Sequence, residues 1–278
     1  MNRFELDQIP VNEELWNPVM DVIANHASVR EFDASRPLPD GVLEMLIGAA
    51  QSAPTSSNFQ SWSAVAITDP ERKKKMQKLC ADQEFIGEAP LFIAFCADAF
   101  RHKWVTKRQG YPFNSDYLEL LLVAVIDSVL ACQNAALAAE SMGLGCCMVG
   151  AIRNHPQEVA ELLELPEMVF ATVGLAVGYP SPHYEHKVKP RLPQPVVLHK
   201  ERYSTEGMEK WIEEYDRKMA QTNIYVGRRV HIPGLTPEKE EDTGFYGWCE
   251  HTARRMARGN DFRRNLAEFL IKRGFSLK

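Results

Sequence analysis

Residues 118–145 read LELLLVAVIDSVLACQNAALAAESMGLG. Leu118 to Gly143 is the longest apolar candidate in the chain, yet Glu119, Asp127, Gln133, Asn134 and Glu140 interrupt it throughout, so it predicts a buried core helix and not a membrane span. Gly143 and Gly145 end it, because glycine readily takes the left-handed conformation that closes a helix. Short apolar runs lie on either side. Leu91 to Cys96 and Val169 to Val177 read as buried strands, Cys146 to Ala151 as a short strand or turn, and Ser61 to Thr68 as a strand carrying Trp62, Val65 and Ile67. Asp69-Pro70 then leads into a charged helix over Glu71 to Cys80.

Val19 to Ile23 predicts a short helix ending near Asn25 and His26, and Ser35 to Asp40 a proline-containing turn. Asp40 opens a helix whose inward stripe is Val42, Leu43, Met45, Leu46, Ala49 and Ala50. Asn154 is placed to cap a helix over His155 to Leu165, with Pro156 in its first turn. Tyr179 to Pro195 reads as a loop, and the tail predicts helices over Met208 to Ala220 and Trp248 to Arg273. Few strands, separated by helices around one long apolar helix, indicate an α+β protein built in layers. The expected organisation is an N-terminal leader over 1–18 and a single domain over 19–278, with a flexible insert around 227–247.

At 278 residues and 45% hydrophobic content the chain can bury a full core. A formal charge of -5 and a pI near 5.9 argue against a nucleic-acid binder and for a small-molecule partner. The six cysteines, Cys80, Cys96, Cys132, Cys146, Cys147 and Cys249, form no C-x-x-C pair, which favours the reducing cytoplasm. Met1 to Met20 carries Glu5, Asp7, Glu13 and Glu14 and no apolar core, so a secretory signal is not expected. Cys249 and His251 lack a second ligand pair, so no metal site is expected. P-loop, α/β-hydrolase and zincin signatures are absent, and the glycines at 143, 145 and 150 follow a helix, contrary to a dinucleotide loop.

The residues suited to chemistry fall in separate clusters. His26, Ser28 and Arg30 would project to one side of an extended segment, a set suited to a phosphate or another anionic ligand, and a polar helix-to-loop turn is the other reading. Lys189-Pro190-Arg191-Leu192-Pro193 holds cations on a stiffened loop, which binds phosphate with little ordering cost or serves simply as a solvated basic loop. Thr55-Ser56-Ser57-Asn58-Phe59-Gln60 offers hydroxyl and amide donors for a sugar-like chain or a heteroaromatic edge and also fits an ordinary Ser-rich turn, and Gln83 carries the same ambiguity.

Taken in order, these clusters resemble the nitroreductase family, in particular its NADPH-preferring, oxygen-insensitive nitroreductase and flavin reductase group. The resemblance runs from about His26 to Gly274. It rests on His26-x-Ser28-x-Arg30, Ala53 to Gln60, Gln83, Gln133 to Gly145, Gly150-Ala151-Ile152-Arg153-Asn154 and Lys189-Pro190-Arg191-Leu192-Pro193. It implies a central mixed sheet flanked by helices, a C-terminal extension, and a homodimer with FMN at the subunit interface. In that picture His26, Ser28, Lys189 and Arg191 hold the FMN phosphate, and Arg30 tunes the flavin at its N1 and O2 edge. Thr55, Ser57 and Gln83 contact the ribityl chain or ring, and Val149, Gly150 and Ala151 face the reactive N5. Arg263, helped by Arg228 or Arg229, would bind NADPH, the co-substrate with NADH as the other choice. The implied activity is ping-pong hydride transfer through FMN to nitroaromatics, flavins or quinones. A flavin-binding sensor or carrier, or a same-fold enzyme such as a reductive dehalogenase, are the alternatives. The chain departs from the family pattern in its leader, in Thr55 and Asn58, in Cys147-Met148 and in the 227–247 insert.

Overall fold

Two strands buried on both faces carry the middle of the fold, and their alternating side chains feed two separate helical layers. The computed structural model describes residues 1–228, 245–258 and 263–278. In chain order the elements are α1 (Arg3–Leu6), α2 (Pro18–Ala24), α3 (Val42–Gln51), β1 (Trp62–Ile67), α4 (Pro70–Leu79), α5 (Glu84–Glu88), β2 (Leu91–Asp98), α6 (Phe100–Arg108), α7 (Glu119–Ser141), β3 (Gly145–Val149), α8 (Pro156–Leu162), β4 (Val169–Gly178), α9 (Gln194–Val197), α10 (Met208–Ala220), α11 (Trp248–Arg258) and α12 (Leu266–Lys272). The layered α+β class is as expected.

The chain divides into two units, one of Met1–His26 with Lys187–Asp261 and one of Ala27–His186 with Phe262–Lys278. The second holds the sheet, with strand order β1-β2-β4-β3. Every pairing among the described residues is antiparallel, which corrects the expectation of a mixed sheet. Strands buried on both faces read as continuous apolar runs, a pattern typical of parallel strands, so their direction is not legible in the pattern.

Along β2, Leu91, Ile93 and Phe95 enter one core with Val42, Leu46 and Ala50 of α3 and Ala131 and Ala135 of α7. Phe92, Ala94 and Cys96 enter the opposite core with Met76 of α4, Ile86 of α5 and Val159 of α8. The β2–β4 register shifts between Phe95 and Cys96, leaving Thr172 as the extra residue of a bulge. Its hydroxyl donates to the Phe95 carbonyl at 3.0 Å and pairs with Ser128 Oγ at 2.9 Å, while Arg153 donates to its carbonyl.

Packing mainly on α7, α3 buries only the narrow stripe Val42, Leu46 and Ala50, and Met45 of the wider expected stripe is exposed. Its cap is Gly41 at φ 84°, one residue after the expected Asp40. The long helix α7 packs against β2 and β4 as expected of a core helix, but its opposite face exposes Leu122, Ile126 and Val129. Gly143 at φ 74° closes it.

In the first unit, α10 packs on α9 and α11, and Tyr215 meets Trp248 edge-on at 5.3 Å. The expected helix over Trp248 to Arg273 consists of α11 and α12, with residues 259–262 outside the described set. Most of the expected flexible insert, residues 229–244 including Arg229, also lies outside it.

Candidate functional site

The segment Ala27 to Arg30 runs beside edge strand β3. Val29 N donates to Cys146 O at 2.9 Å. Gly145 is needed opposite it, since a Cβ there would come within 2.6 Å of the Val29 side chain. Ala27 and Val29 are buried, Ser28 is half-buried and Arg30 is exposed, the alternation that extended backbone imposes. Tyr184 lies near Arg30; burial pushes its phenol pKa up, and Arg30 opposes part of that rise. His26, half-buried, is the last residue of the amino-terminal segment of the other unit.

The Ala53 to Gln60 loop is locally strained. Ser57, Asn58 and Gln60 have φ of 49°, 55° and 52°, a left-handed conformation costing on the order of 1–2 kcal/mol for a residue with a Cβ. Asp127 of α7, 1% exposed, holds the loop from beneath. Its Oδ1 accepts from Ser56 N at 3.1 Å and its Oδ2 from Ser61 N at 2.9 Å. In the sequence Asp127 reads only as an interruption of the apolar run; a lone carboxylate in a core helix is the available signal. Thr55 is half-buried and Ser57 exposed. A cavity of about 1050 Å³ borders the loop, lined by Thr55, Asn58, Phe59, Trp62, Arg101 and His102 among others. Phe59 meets the His102 ring edge-on at 5.6 Å, and Arg101 donates to the Gln60 carbonyl at 2.8 Å.

Gln83 serves a local turn, its amide donating to Cys80 O at 2.7 Å before α5. Val149 is buried, and Gly150 and Ala151 open a 3-10 turn whose first N–H groups have no partner within the turn. Arg263 joins this segment directly. Its Nη2 donates to Gly150 O at 2.8 Å and its Nε to Asn154 Oδ1 at 3.1 Å. With its side chain engaged there, Asn154 does not cap α8 as expected; His155 is the N-cap residue. Burial lowers the Arg153 guanidinium pKa, and the positive charge of Arg263 lowers it further.

In the other unit, Lys189 is half-buried, Pro190 buried and Arg191 exposed. Arg191 N donates to Asp7 Oδ2 at 3.2 Å, a contact with the leader that no local pattern announced. Desolvation by its neighbours lowers the Arg191 pKa, with Arg3 adding to the effect. Arg228 is exposed, and with Arg255 it reinforces the lowering of the His251 pKa that burial begins. Of the predicted residues, Ser28, Arg30, Thr55, Ser57, Gln83, Val149, Gly150, Ala151 and Arg263 belong to the sheet-bearing unit. His26, Lys189, Arg191 and Arg228 belong to the other.

Comparison with known proteins gives a consistent result. Residues 23–179 match the model of the nitroreductase family, and residues 189–278 match that family's C-terminal domain. An FMN reductase [NAD(P)H] of Bacillus subtilis is 38% identical over 77% of this chain and 85% of its own length. An oxygen-insensitive NADPH nitroreductase of Salmonella typhimurium is 32% identical over 94% of this chain and 100% of its own. Among solved structures, B. megaterium NfrA2 superposes with a TM-score of 0.83 at 34% identity, covering 95% of this chain and 100% of that one.

Proposed function

This chain belongs to the nitroreductase family, and on that premise we propose that it is an FMN-dependent enzyme carrying hydride from NAD(P)H to nitroaromatics, flavins or quinones. It is an NAD(P)H-dependent oxidoreductase, and FMN is its cofactor. When bound, FMN would supply the two-electron redox chemistry that links NAD(P)H to the acceptor.

The donor set fits such a group. A phosphomonoester calls for cations, which Lys189 and Arg191 of one unit supply. The polyol chain calls for short polar side chains on a held loop, which Thr55 and Ser57 supply, with Gln83 beside them in this reading. The observation that carries the proposal is the exposed Arg30, fixed through the Val29–Cys146 bond beside the strand that leads into Val149, Gly150 and Ala151. A cation there stabilises negative charge at the pyrimidine edge, and the strand end orients the ring through its backbone. Arg263 brings positive charge for the 2'-phosphate of NADPH. No protein acid or base is assigned, since water in an open site delivers the proton.

We place the enzyme in the cytoplasm as a homodimer. Leu118, Leu122, Ile126 and Val129 of the α7 region, spaced at helical intervals, are 36%, 45%, 54% and 42% exposed, a stripe that a second copy would cover.

Titrating FMN into the apoprotein while following flavin fluorescence, then measuring NAD(P)H oxidation with a nitroaromatic, tests the assignment. Quenching and steady turnover are expected. An unquenched flavin rejects the proposal, and cofactor bleaching without turnover makes the protein a carrier. Arg191→Ala should weaken FMN binding by about 1.5–3 kcal/mol, the worth of a hydrogen bond to a charged group.

A further inference from the structure

The leader, outside the resemblance set out above, grips the basic loop. Asn2 caps the single turn α1, its side chain accepting from Phe4 N and Glu5 N while Glu5 returns a bond to Asn2 N. That cap sets Arg3 and Asp7 four residues apart on one side, where they pair, Nη1 to Oδ2, at 3.2 Å. The side chains are 15% and 7% exposed, so solvent screens the pair little. Each partner also reaches the loop. Arg3 Nη1 donates to the Lys189 carbonyl, and Asp7 Oδ2 accepts from Arg191 N. The two bonds straddle Pro190, which is buried and has no N–H of its own. Both bonds go to main chain, so the pair sets the path of the loop.

We propose that Arg3 and Asp7 are positioning residues for the cofactor phosphate, holding the main chain of Lys189 and Arg191 in the path that aims their cations at a phosphomonoester. This rests on the reading of Lys189 and Arg191 as the FMN phosphate site. Preorganisation lowers the ordering cost of binding, so a loosened loop binds phosphate less well although its cations are unchanged. The sign of the effect is diagnostic. By charge alone, removing Asp7 takes a negative group away from the phosphate and should tighten FMN binding. Positioning predicts the opposite.

The test titrates FMN and phosphate-free riboflavin into the apoprotein, parent and variants, and compares the ratio of the two affinities. For Asp7→Ala and Arg3→Met the FMN Kd is expected to rise roughly tenfold with the riboflavin Kd unchanged. A merely structural role would weaken both flavins together. Should Asp7→Ala not fold, Asp7→Leu, close in size and without an oxygen for Arg191 N, reads the same ratio. Arg191→Ala, run alongside, separates the two claims. If it loses the preference for FMN while the Asp7 and Arg3 variants keep it, the positioning role is refuted and the phosphate site stands. If Arg191→Ala keeps the preference, the phosphate site falls and the positioning role falls with it. Tighter FMN binding by Asp7→Ala or Asp7→Leu also overturns the proposal.

Discussion

Asp127→Asn tests the least conspicuous part of the site. Asparagine matches the buried carboxylate in size, so no large cavity forms, but one acceptor oxygen becomes an amide donor. That donor faces a backbone N–H, either Ser56 N or the Ser61 N that lies 2.9 Å from Oδ2 in the parent. Ser61 is 0% exposed, so water cannot replace the lost acceptor on that side. Losing a charge-assisted bond costs about 1.5–3 kcal/mol and burying an unpaired donor about 1–3 more; partial relaxation of the loop leaves a net loss near 2–4 kcal/mol. At about 2–4 °C per kcal/mol for a chain of this size class, the midpoint should fall by roughly 4–16 °C. Thermal unfolding followed by circular dichroism measures this, and amide exchange at Ser56 and Ser61 should accelerate by a larger factor than in β2. FMN affinity should fall too, because the left-handed residues Ser57, Asn58 and Gln60 lose the anchor that keeps their loop strained. A midpoint within about 2 °C of the parent, with unchanged exchange at both serines, would refute the claim that Asp127 holds the loop.

Three other outcomes follow from the same geometry. Ile126→Glu, on the exposed stripe of α7, should convert a dimer into monomer in light scattering; a monomeric parent would reject the homodimer. Burial pushes the thiols of Cys80, Cys96 and Cys132 up to about 12 and that of Cys249 up to about 11, so thiolate is scarce near neutral pH. A disulfide reagent at pH 8 should therefore label the folded protein slowly, at the half-buried Cys249 first, and all six cysteines in denaturant; rapid labelling of Cys96 would contradict the packing of β2. Arg263→Ala should raise KM for NADPH several-fold with little change for NADH if the guanidinium meets the 2'-phosphate, whereas equal losses on both would assign Arg263 to holding Gly150.

The middle of the fold was legible because its signals are local. The apolar run with Gly143 behind it locates α7, and the apolar runs of Leu91 to Cys96 and Val169 to Val177 locate β2 and β4. Strand direction was not legible, since burial on both faces removes the alternation that marks an antiparallel strand. Nor were α5 and α6: α5 has five residues, and α6, Phe100–Arg108, buries no residue fully, so neither carries a strong apolar stripe. The predicted site residues Ser28 and Arg30 do alternate with buried neighbours, as a period of two requires. What the pattern missed are supports acting over long sequence separations. Asp127 reaches a loop about seventy residues earlier, Arg263 draws Asn154 away from the cap it was expected to make, and Asp7 meets Arg191 from the far end of the chain. Each is a polar side chain whose partner is main chain or a distant amide, and residue type alone does not specify such a partner.

A crystal structure of the FMN-loaded protein measures the central claim most directly. The account predicts Lys189 and Arg191 within about 2.7–2.9 Å of phosphate oxygens, with Arg30 at the pyrimidine edge of the same flavin. A phosphate held by other side chains, with Arg191 turned away from it, would contradict the account.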